Sequence, residues 1–165
     1  MSTTLSLWRF AVDRYARPQV RQHCLQLQDM HGLSVNWLLW LLWLEAQGRQ
    51  ATPALLDRAE ADTGRLRRQL IEPLRQMRRS LDQQDEAPLR RQIGRVELTA
   101  ERLELRRLQR LRPLAVPITA VDNLHGYLHW LAPVDPAPIE PLLAALRLRV
   151  LADPTPSLQN GAPPS

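Results

Sequence analysis

"NWLLWLLWLEAQG", residues 36 to 48, sets Trp37, Trp40 and Trp43 among five leucines, with Glu45 its single charged residue. The reading of this run decides the fold: it is a membrane span, the spine of a soluble core, or an exposed apolar surface. A helix crosses a bilayer with about 20 apolar residues, whereas the run from Val35 to Leu44 is half that length. At about 1.5 Å per residue it covers roughly 15 Å, half the hydrocarbon thickness. No membrane span is expected. On a helical wheel Trp37 opposes Leu39 and Trp43 opposes Leu41, so the helix is apolar on every side, which places it at the centre of a bundle. Each indole N–H wants an acceptor, an argument for leaving part of the tryptophan face at the rim of a groove.

Helical patterns surround this run. Leu5, Trp8, Val12 and Tyr15 recur at helical spacing. Pro18 suits the first turn of a second helix, whose face carries Val20, Cys24 and Leu27 and which stops at Gly32. Ser34 is positioned to cap the tryptophan helix, Gly48 to end it, and Thr52-Pro53 to start the next. Leu66, Leu70, Leu74, Met77 and Leu81 form one stripe, with Pro73 expected to kink or divide that helix. After "DQQDEAP" a long helix begins with the stripe Leu89, Ile93, Val96, Ala100 and Leu103 and runs to about Leu111. A shorter helix holds Val121, Leu124, Leu128 and Leu131, and a last one Ile139, Leu142, Leu143, Leu146 and Val150. No strand alternation or internal repeat is present. The expectation is all-α: a single-domain bundle of about six to eight helices over residues 1–152, followed by a disordered Pro-rich tail at 153–165.

Composition agrees with helices, since leucine dominates while Phe occurs once and Tyr twice. All 22 basic residues are arginine. Arginine suits carboxylate and phosphate, but its uniform spread reads as compositional bias rather than one nucleic-acid patch. Cys24 stands alone, so no internal disulfide framework exists. Arg9, Asp13 and Arg14 interrupt the N-terminal apolar residues, which is unlike a signal peptide, and a cytoplasmic location follows as an expectation.

Candidate sites are few. "CLQLQDMHG", residues 24 to 32, gathers Gln28, Asp29 and His31 at a helix C-terminus just before Asn36. A carboxylate there meets the negative end of the helix dipole, so Asp29 requires a basic partner such as Arg9 or Arg14. The corner reads first as structural and second as a small-ligand pocket. His23 and Cys24 point about 100° apart on a helix, which makes Cys24 a core residue rather than a nucleophile. Asp122, His125 and His129 share a helix face but lack a fourth ligand, so no metal and no cofactor is expected. Residues 65–112 hold 14 arginines against 7 acidic residues. These arginines lie on outer faces interleaved with Glu72, Glu97, Glu101 and Glu104, and no aromatic residue accompanies them for base stacking. A solvated, ion-paired surface is the expectation.

Three segments, "LWRFAVDRYARPQVRQHCLQLQDMHGLSVNWLLWLLW" (7–43), "PLRQMRRSL" (73–81) and "VELTAERLE" (96–104), resemble a family of small proteobacterial proteins known as a domain of unknown function. The resemblance covers roughly residues 5–110 and implies a cytoplasmic all-α protein with no assigned reaction, ligand or catalytic residue.

With no catalytic set assembled, the sequence points to a non-enzymatic protein–protein interaction or adaptor module whose partner is another protein. Its surface would be the groove edged by Trp37, Trp40 and the arginine helices, with Arg78, Arg79, Arg106 and Arg107 as contacts. The alternative is a nucleic-acid binder using the arginines of 65–112 on phosphates. An enzyme with a small-ligand pocket at Gln28, Asp29, His31 and Asn36 ranks third.

Overall fold

The computed structural model describes residues 6–115, 121–131 and 135–152, without the side chains of 114 and 115. The tail expected over 153–165 lies outside the described residues. Helices α1 (Leu7–Tyr15), α2 (Pro18–His31) and α3 (Val35–Glu45) come first. Next are α4 (Pro53–Leu66), a π-helical turn (Arg67–Ile71), α5 (Glu72–Ser80) and the long α6 (Ala87–Arg110). α7 (Asn123–Trp130) and α8 (Glu140–Leu151) complete an all-α bundle. Two residues of β1 (Arg49–Gln50) pair antiparallel with two of β2 (Leu114–Ala115), too short a bridge to leave an alternating pattern in the sequence. Among the described residues no helix is long and apolar enough to cross a membrane.

The tryptophan helix is the spine. Every residue from Trp37 to Glu45 is buried, and α1, α2, α6, α7 and α8 all pack on α3. Burying each of its leucines contributes about 1.5–3 kcal/mol. Start and stop follow the sequence signals. Ser34 Oγ accepts from the Trp37 N–H, Thr52 Oγ1 accepts from the Leu55 N–H at 3.3 Å, and Gly32 ends α2 with a left-handed φ of 66°. The polar end of α3 is closed by a buried node. Asn123 donates to the Leu41 and Arg49 carbonyls at 3.1 and 2.9 Å and accepts from Ala51 N–H at 2.8 Å. Glu45 accepts from the Asn123 N–H at 3.2 Å and pairs with Arg147.

Three apolar stripes sit differently from their sequence reading. On α1 the buried residues are Leu7, Phe10 and Ala11, while Val12 is exposed. On the α4–α5 rod Leu70 and Met77 face solvent, and Ile71 is buried instead. Pro73 is the cause. It lacks the N–H that would bond the carbonyl four residues back, and its ring crowds that carbonyl. The chain answers with the π turn, in which the Glu72 N–H reaches the Arg67 carbonyl, and the added residue shifts which side chains face inward. On α6 the inward residues are Glu97, Ala100, Glu104, Leu105 and Leu108, whereas Leu89, Val96 and Leu103 are exposed. Two glutamates have thus joined the inner face of α6, and two leucines and a valine have gone to the outer one.

Candidate functional site

The reason lies on α5. Arg75 and Arg78 stand one turn apart on α5, and Glu97 and Glu101 one turn apart on α6, so antiparallel packing sets cations against carboxylates. Arg75 reaches Glu97 at 3.1 Å and Glu101 at 2.7 Å, and Arg78 also grips Glu97. From the π turn, Arg67 reaches Glu104 at 3.4 Å and pairs with Glu60, and its guanidinium lies 5.1 Å from the Trp37 ring centroid. Asn36 Nδ2 donates to Glu104 at 2.8 Å and to the Glu101 carbonyl at 3.2 Å. Arg79 closes the row on Asp29 at 2.7 Å.

This row floors a cleft of about 260 Å³ whose walls include Gln28, Asp29, Asn36, Arg67, Arg79 and Glu104. A second hollow of about 300 Å³ shares Gln28, Asn36, Arg75 and Arg79 and continues to Trp8, Tyr15 and Leu98. Desolvation raises the carboxyl pKa of Glu101 and Glu104, against the pull of Arg75 on one and of Asn36 and Arg67 on the other. The hydrogen bond from Arg79 lowers that of Asp29. Arg67, Arg75, Arg78 and Arg79 face Asp29, Glu60, Glu97, Glu101 and Glu104, so each of the four cations has a carboxylate. The arginines of this wall are spent on carboxylates of their own chain.

Of the residues singled out in the sequence, Gln28, Asp29, Asn36 and Arg79 meet in the cleft, and Arg78 lines the hollow beside it. Asp29 finds its cation in Arg79, not in Arg9 or Arg14, and Arg14 pairs with Asp13. His31 is half-buried and outside the cleft lining. Trp37 and Trp40 edge no groove. Both are core residues: Trp37 stacks on Trp130, packs against Tyr127 and meets Trp40 edge-on, and the indole N–H groups of Trp37 and Trp40 are buried without hydrogen-bond partners. Arg107 donates to the Asp62 carbonyl at 3.0 Å, while Arg106 is exposed on α6. The four arginines Arg78, Arg79, Arg106 and Arg107 therefore do not form one free face. Cys24 is fully buried, which pushes its thiol up to about 12. Asp122 caps α7 through the His125 N–H at 3.0 Å, and no group of three metal-binding side chains occurs among the described residues.

The sequence reading missed Glu97, Glu101 and Glu104 as interior groups. Their spacing, i, i+4 and i+7 on one helix face, is the signal that carries them, and arginines at matching intervals supply partners. The counterpart of that burial is a second feature. Leu70, Met77, Leu89, Val96 and Leu103 are 40–52 % exposed on the α5–α6 hairpin.

Fold and site together define an all-α protein in which an ion-paired hairpin is docked against a tryptophan-rich core. The chain belongs to the family described as "Protein of unknown function (DUF2390)", whose model matches residues 6–108. That span takes in α1 to α5 and nearly all of α6, and so every residue of the arginine–carboxylate row. No curated protein and no solved structure matches the chain.

Proposed function

We propose that the protein is a non-enzymatic protein–protein interaction module that docks through the outer face of the α5–α6 hairpin. The observation that carries this reading is the exposure of Leu89, Val96 and Leu103 at helical spacing on α6, with Met77 exposed on α5, where an ordinary helix turns such a stripe inward. Charge supports it. The cleft arginines are neutralised internally, so they offer no spare cation to phosphate, and the nucleic-acid alternative falls to arginines outside the cleft such as Arg91, Arg95, Arg106 and Arg110. The cleft carboxylates are likewise held by arginines, which argues against a reactive pair.

Affinity capture with the tagged chain, with and without nuclease, tests the reading. The expected result is a defined protein retained after nuclease and lost with the folded Val96→Arg variant. Capture that vanishes with nuclease, or is identical for wild type and Val96→Arg, overturns it.

A further inference from the structure

Leu89, Val96 and Leu103 follow one another at steps of seven residues, so they lie on a single line along α6, about 10.5 Å apart. The line reads Leu–Val–Leu in either direction from Val96. Charges extend it with opposite sign at its two ends. Before it, the turn carries Asp82, Asp85 and Glu86, all exposed; beyond it, α6 carries the exposed Arg106 and Arg110. Among the described residues none of these three carboxylates has a cationic partner in its own chain, and neither arginine has a side-chain hydrogen bond or ion pair. Glu86 and Arg106 each lie ten residues from Val96, and Asp82 and Arg110 each lie fourteen.

Resting on the interaction reading above, we propose that the occupant of this face is a second copy of the same chain, with the two α6 helices antiparallel about a two-fold axis at Val96. Val96 then meets its own counterpart, Leu89 meets Leu103, and the acidic turn of each copy meets the arginine end of the other. A parallel arrangement sets acid on acid and arginine on arginine. Two-fold pairing requires such a self-complementary patch.

Size agrees. The 24 residues of α6 span about 36 Å, and α5 beside it makes a face about 20 Å wide. The 9 residues of α5 cover only about 14 Å of that length, so the face is on the order of 500 Å² per copy and about 1,000 Å² in total, the lower bound of a specific interface. Beside the apolar line stand Gln92 and Thr99, exposed and uncharged, with the exposed Arg91 and Arg95 on the outer flank. Met77 on α5 and Leu70 on the π turn before it add exposed apolar area.

Sedimentation of the purified full chain over rising concentration is expected to give a reversible dimer. Val96→Cys, oxidised, is expected to form a cross-chain disulfide, because its two copies face each other at the axis. Leu98→Cys, two residues on and thus on another side of α6, is the control and stays uncrosslinked; Cys24, fully buried, does not compete. Arg106→Glu with Arg110→Glu sets acid against the acidic turn of the partner copy and weakens association about tenfold, and adding Asp85→Arg with Glu86→Arg to the same chain restores it. A chain that sediments as a monomer and does not crosslink at position 96 overturns the second copy. Crosslinking through position 98 in place of 96, or no rescue by the double reversal, overturns this pairing. None of these outcomes touches the module reading, which stands or falls with what Val96→Arg captures.

Discussion

Glu104 shows how a single side chain can be ionised, sealed from water and held by its surroundings at once. It is 1 % exposed, accepts from Asn36 and faces Arg67. Burial holds its carboxyl above the ordinary 4.5, so the folded chain takes up the proton at higher pH than the unfolded chain. Falling pH between neutrality and about 4.5 therefore stabilises the fold through this group, and rising pH removes that contribution. Glu104→Gln lacks the titration. Urea unfolding at pH 7 and pH 5 is expected to show wild type gaining on Glu104→Gln at the lower pH. Removing the cation instead, by Arg67→Ala, leaves Glu104 buried without its ion pair, and a loss of about 3–5 kcal/mol is expected in the same assay. Asp29 titrates in the opposite sense: its lowered pKa gives stability that is present near neutrality and lost in acid, and Asp29→Asn is expected to flatten that loss. The need of Asp29 for a basic partner was legible in the sequence, from its place at a helix C-terminus. Its identity was not, because Arg79 is 50 residues away and is brought there only by the return of α5 along the bundle.

At the scale of helices, local chemistry and tertiary placement separate cleanly. The starts at Pro18, Ser34 and Thr52 and the stop at Gly32 stand where the sequence puts them, because a cap is a contact between near neighbours in the chain. Two glycines illustrate the same locality. Gly126 lies within α7 with open space where a Cβ would be, so Gly126→Ala is expected to raise stability by about 0.5–1 kcal/mol. Gly32 holds a left-handed conformation, and Gly32→Ala is expected to cost about 1–2 kcal/mol despite equal room, with denaturant melts of the two variants as the check. Which face of an amphipathic helix turns inward is a different matter. Periodicity assigns the α6 stripe to the interior, which holds for Ala100 but not for Leu89, Val96 and Leu103, while Glu97 and Glu104 are buried. The stripe and the carboxylates lie on different sides of one helix, and the choice between them depends on the arginines of α5. No window of one helix contains that information. Pro73 adds a second obstacle, since the π turn displaces the pattern by a residue in mid-rod.

Taken whole, the molecule joins two kinds of interior. Around α3 lies an apolar core holding Trp37, Trp40 and Trp43, which the sequence announced through a run hydrophobic on all sides. Tryptophan fluorescence is expected to be largely shielded from iodide in the native chain and to become accessible on unfolding. The second interior is the row of ion pairs that joins α5 to α6, while Leu105 and Leu108 carry the hairpin into the apolar core. If two copies share the outer face, dissociation accompanies unfolding, and the thermal midpoint is expected to rise with protein concentration. Val96→Arg is expected to abolish that dependence while the monomer remains folded, as scanning calorimetry at two concentrations would show.

The row of arginines and glutamates also shapes how stability varies with temperature. Exposing apolar surface raises the heat capacity of unfolding, whereas exposing polar surface lowers it. Two helices joined to each other through guanidinium and carboxylate groups, with Leu89 and Leu103 already in water, add less to that heat capacity than two joined through leucines. The hydration of charged groups also becomes less favourable on warming, so the desolvation penalty of these pairs falls. The α5–α6 attachment is thus built to lose less of its strength at both ends of the temperature range than the tryptophan core it rests on.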